Sequence, residues 1–159
     1  MLDRYNREEW DLLVGLPRSV VIAATSVESD GQRRTVREGI AGHESIQAGK
    51  KDESPLIRAI CEDLVLDDLD PDRDDILVAE EFNDLEAGLT DVLNQARQAS
   101  QVLAAKARPE DATAYRVWLS KIAANVADAA RSGSFVNLGG ERVSASEQQF
   151  IKHLDDALA

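Results

Sequence analysis

Asp70, Asp72, Asp74 and Glu81 are the side chains whose type and spacing come nearest to chemistry in this sequence. Counted from Asp70 they stand at positions one, three, five and twelve, with Leu77 at position eight. That is the layout of an EF-hand calcium loop, in which oxygen ligands at such places surround a hard cation. Position six of a working loop turns sharply and is glycine, whereas here it is Asp75, and Pro71 stiffens position two. The same residues also describe an acidic connection whose last carboxylates cap the next helix and complement its dipole. Calcium or another divalent metal at 70–81 is thus the cofactor that the spacing offers, and a solvated interhelical loop is the competing reading.

Other catalytic types are sparse. His43 is followed by Glu44, and His153 by Asp155 and Asp156, but neither histidine has a second one at ligand spacing. Cys61, the single cysteine, lies in the apolar stretch from Ile57 to Leu66 with no histidine near it in sequence, which suits a small core side chain better than a nucleophile. Gly139-Gly140 lack the lysine and preceding strand of a phosphate loop. No catalytic residue is assigned, and the chain is expected to be non-enzymatic.

Acidic residues outnumber basic ones 30 to 18, giving a net charge of -12 and a surface that repels a nucleic-acid backbone. One cysteine permits no intrachain disulfide, which fits a cytoplasmic home. No apolar run approaches the roughly 18 residues of a membrane span, and no basic-then-apolar leader opens the chain. Aspartate (17) exceeds glutamate (13) and arginine (13) exceeds lysine (5), a surface that a high-salt cytoplasm would also favour. At 159 residues and 43% hydrophobic, the composition is that of one domain spanning 1–159.

The elements that would position these groups are helices. Asn6 caps a first helix with Glu8 and Glu9 in its opening turn, ending near Gly15. Pro17 opens a second, apolar on most sides through Val20-Val21-Ile22-Ala23-Ala24. Thr35 and Glu38 form a capping box for a third, which runs through Ile40 and Ile46 to Gly49. Ser54-Pro55 opens a fourth, and from Ile76 a long helix runs through Leu85, Leu89, Val92, Ala96, Ala99 and Leu103, with room for a bend at Gly88. Glu110 and Asp111 begin another, with Tyr115, Trp118, Leu119 and Ile122 inward; Ser144 and Glu147 box the last, with Phe150, Ile151 and Leu154. The fold expected is all-α, a bundle of about seven helices packed closely around small side chains.

Two stretches echo each other. Ala23-Ala24, Ser26 and Gly31 to Glu38 align with Ala129-Ala130, Ser132 and Gly140 to Glu147, the later copy carrying Phe135 to Gly139 as an insertion. A pseudo-repeated helical pair accounts for this simply. The arrangement resembles the tellurite-resistance TerB-like family of small all-helical proteins, over Ala23 to Glu38 with its Asp30-Gly31 turn and over Val126 to Leu158. That resemblance implies a divalent-metal association at the turns, with Asp30 and Glu38 matching the first and Glu147 the second, and a place in stress-response assemblies. The later turn departs from the pattern, having Gly139-Gly140 where an acid belongs. The function expected is a helical interaction module that binds a protein partner or itself, with calcium binding at 70–81 as the alternative.

Overall fold

The first two helices expected from sequence are one in the computed structural model, which describes residues 2–27, 32–68, 84–132 and 145–159. α1 runs unbroken over Arg7–Val27 with Pro17 inside it. Proline has no N–H for the carbonyl four residues back, so the Leu13 oxygen loses its helical donor. The Tyr115 hydroxyl takes the place of that donor at 2.9 Å, from a fully buried position. Proline therefore interrupts one hydrogen bond of α1 without ending the helix.

Five further helices follow: α2 (Gln32–Ala48), α3 (Pro55–Asp68), α4 (Leu85–Lys106), α5 (Pro109–Ser132) and α6 (Ala145–Leu158), with short 3-10 turns at Leu2–Arg4 and Gly49–Lys51. The described residues are thus all-helical with six α-helices, against about seven expected, and contain no strand. Two starts differ from expectation. α2 already includes Gln32 to Arg34, good helix formers, so Thr35 lies inside the helix and is not its cap. α4 opens at Leu85 because Asp84 is extended and its carboxylate accepts the Ala87 N–H at 3.1 Å, so no single helix runs from Ile76 through Leu103. Leu85, expected on the apolar side of the long helix, is 42% exposed.

α1 and α5 each pack against every other described helix and so form the centre of the bundle. Leu13, Leu16 and Val20 of α1 meet Tyr115, Leu119 and Ile122 of α5 in one core, with Ile57 and Ile60 of α3 and Leu154 of α6. Ala23, Ala96, Ala99 and Ala123 are fully buried there, as expected of close-packed helices with small side chains at their contacts. Gly49 belongs to the same close packing: a Cβ on it would lie 2.7 Å from Cys61 Sγ and 2.8 Å from Ile57 Cγ2.

Because α1 is central it is apolar nearly all round, and an 18-residue stretch of it reaches a mean hydropathy of 1.3, with 56% of that stretch buried. By length and composition it could cross a membrane. The sequence expectation that no apolar run approaches a span does not hold for α1, whose apolar residues are interrupted by Gly15, Pro17, Arg18 and Ser19.

Replacing Tyr115 by Phe should cost about 1–3 kcal/mol in urea unfolding, the cost of an unsatisfied buried carbonyl, with helix content unchanged. In a Pro17→Ala background, where residue 17 regains an N–H for Leu13, the same change should cost about 1 kcal/mol less. Gly15 is exposed within the helix and a Cβ there meets nothing within 4 Å, so Gly15→Ala should stabilise by about 0.5–1 kcal/mol, whereas Gly49→Ala should destabilise.

Candidate functional site

Of the metal-ligand candidates, Asp70, Asp72, Asp74, Glu81 and Asp30 lie outside the described residues. Glu38 and Glu147 are described and buried, at 2% and 3% exposure, and each is engaged in a polar interaction. They differ in helix register: Glu147 is in the first turn of α6, while Glu38 is in the second turn of α2. Among the described residues no group of three or more His, Cys, Asp and Glu side chains is placed to hold a metal ion. His43 is half-buried and His153 exposed.

Cys61 is 1% exposed and its thiol donates to Ile46 O at 3.3 Å, tying α3 to α2. Burial pushes the thiol up to about 11, where the nucleophilic thiolate is scarce. Trp10 and Trp118 fill core positions, and each indole N–H has an acceptor, Asp63 Oδ2 at 2.5 Å and Ser45 O at 3.3 Å.

Polar chemistry gathers instead where α3 and α5 begin. Ser54 caps α3, and its hydroxyl donates to Asp111 Oδ1 at 2.6 Å in the first turn of α5. Arg108 Nε donates to the other oxygen of Asp111 at 2.8 Å. Burial pushes the Asp111 carboxyl up, but the hydrogen bonds from Ser54 and Arg108 outweigh it and hold the group below its ordinary value. At the start of α1, Asn6 and Glu9 form a reciprocal capping box, with Glu9 N donating to Asn6 Oδ1 at 2.8 Å and Asn6 N to Glu9 Oε2 at 2.9 Å. Lys106, in the last turn of α4, reaches the same Glu9 oxygen at 2.6 Å. That bond from Lys106, with the Asn6 amide, lowers the Glu9 carboxyl below its ordinary value.

The outward face of α5 carries a second feature that nothing in the sequence marks. Val117 is 48% exposed and stands between two depressions, both lined by Val117 and Lys121. One, of about 660 Å³, extends to Asp52, Pro109, Glu110 and Ala114; the other, of about 570 Å³, extends over Ala124 to Ile151 and Leu158 of α6. Ser120 and Asp155 are hydrogen-bonded beside the second, fastening α5 to α6.

The lowered carboxyls of Asp111 and Glu9 contribute to the acid behaviour. A group whose folded value lies below its unfolded one contributes stability above the ordinary carboxylate range and loses it as pH falls through the folded value. Unfolding free energy should therefore decline below about pH 4, and the decline should be shallower in Asp111→Asn and in Glu9→Gln, as read by urea titrations at several pH values.

No family model, curated protein or solved structure matches this chain.

Proposed function

We propose that the protein is a non-enzymatic helical interaction module whose docking face is the outward side of α5 and whose occupant is a second copy of the chain. The observation that carries this reading is the exposed Val117 between two adjoining depressions. Glu110, Ala114, Val117, Lys121 and Ala124 recur along one side of the helix over roughly 21 Å, at 1.5 Å per residue. Alanine at 114 and 124 lets another helix approach closely.

Charge favours a second copy over an unrelated partner. The depression toward the start of α5 carries Asp52 and Glu110, and Lys121 stands beyond Val117. An antiparallel pairing about a two-fold axis midway between Ala114 and Val117 sets Lys121 of one copy opposite Glu110 of the other, and Val117 opposite Ala114, each twice over. By analogy with the TerB-like proteins, whose resemblance rests on the helical pairs α1–α2 and α5–α6, such an assembly would belong to a stress response. The alternative, calcium at Asp70, Asp72, Asp74 and Glu81, requires a saturable heat when the intact chain is titrated with calcium in moderate salt; a flat titration removes it.

Sedimentation velocity over a range of concentrations tests the main reading. The parent chain should pass from monomer to dimer, Val117→Glu should stay monomeric, and Lys121→Glu should weaken dimerisation at least tenfold. Glu110→Lys combined with Lys121→Glu should restore it. A chain that stays monomeric throughout, or dimerises equally with Val117→Glu, overturns the proposal.

A further inference from the structure

We propose that the cavity between Arg4, Tyr5 and Arg108 binds a small phosphate-bearing ligand. It has a volume of about 350 Å³, and Leu56, Ala107 and Asp111 complete its lining. That is the lower end of the size of small-molecule sites, and its make-up of apolar wall with a few convergent polar groups is also theirs.

The donors are unequal in how they are held. Arg108 is fixed through Nε, which donates to Asp111 Oδ2 at 2.8 Å, while its Nη1 is 3.9 Å from Glu110 Oε1. Its guanidinium fork therefore has N–H groups left over, and Asp111, anchored in turn by Ser54, acts as the positioning residue. Arg4 is exposed, and its charge acts on Asp111 and Tyr5 without a hydrogen bond to another described residue holding its fork, which leaves the N–H groups for a ligand. Tyr5 is 8% exposed, with its ring 5.8 Å from that of Trp10, and it lines the same cavity as Arg4 and Arg108.

Two guanidinium forks and a phenol offer more N–H and O–H donors than the two oxygens of a carboxylate can accept. A phosphate monoester presents three strong acceptor oxygens and close to two negative charges, which matches this donor set. Among the lining side chains Arg4 and Arg108 outnumber Asp111, with Glu110 at 3.9 Å from Arg108 and Glu9 acting on Tyr5 from beside the cavity. Leu56 and Ala107 give the organic part of such a ligand an apolar surface to lie on. The cavity is separate from the outward face of α5, so this inference stands or falls independently of self-association.

Amide chemical shifts of the intact chain, followed during titration with inorganic phosphate at constant ionic strength and about pH 7.5, provide the test. Saturable shifts at Tyr5, Ala107, Arg108 and Asp111 are expected. Loss of the free fork in Arg4→Gln, a surface change that spares the fold, should weaken binding about tenfold or more, and Tyr5→Phe should weaken it less. Shifts that do not saturate, that chloride reproduces, or that persist unchanged in Arg4→Gln overturn the proposal. Acetate binding as tightly as phosphate overturns the assignment to phosphate.

Discussion

A carbonyl deprived of its helical donor sets the arrangement of the bundle. Pro17 frees Leu13 O in the middle of the helix that every other described helix touches, where water does not reach. A buried carbonyl without a partner costs about 1–3 kcal/mol, a large share of a small domain's stability. Tyr115 answers it, and in doing so fixes how α5 is rotated and where it lies along α1. Val117 follows two residues later, roughly 200° further round the helix, and so must face away from the core. The exposed ridge of α5 is thus a consequence of satisfying one oxygen on α1.

Helix ends obey the same accounting. The start of α3, the start of α5 and the preceding Arg108 are joined through Asp111, and the start of α1 is joined to the end of α4 through Glu9 and Lys106. At the far end of α6, Ser100 donates to Leu158 O at 3.0 Å and meets one of the carbonyls the helix leaves open. These contacts tie ends that lie far apart in sequence. They also decide the direction of the Arg108 fork, which makes the neighbouring cavity more than a gap between helices.

Helical class, the capping of α1 by Asn6 and of α3 by Ser54, and the inward positions of α5 were legible in the sequence, because apolar spacing and caps are local signals. The fusion of α1 was not. A proline after a glycine reads locally as a stop and a start, and the group that makes it tolerable is about a hundred residues away, at Tyr115. The same limit applies to Val117, Arg4 and Tyr5, whose surroundings come from helices joined only in three dimensions. Spacing marks Glu38 and Glu147 as capping-box positions and the TerB-like resemblance marks them as ligand candidates, but neither signal shows that both are buried.

Self-association of a chain carrying a net charge of -12 looks unfavourable at first, since two such bodies repel at a distance. The repulsion acts between charges spread over whole surfaces, mostly further apart than the screening length of about 8 Å at physiological salt. The contact between Lys121 of one copy and Glu110 of the other would act at hydrogen-bond range, where screening is weaker. Moderate salt therefore removes more of the repulsion than of the attraction, and the apolar contact at Val117 is not charged at all. An acidic surface in a salty medium is thus compatible with a short, locally neutral docking ridge.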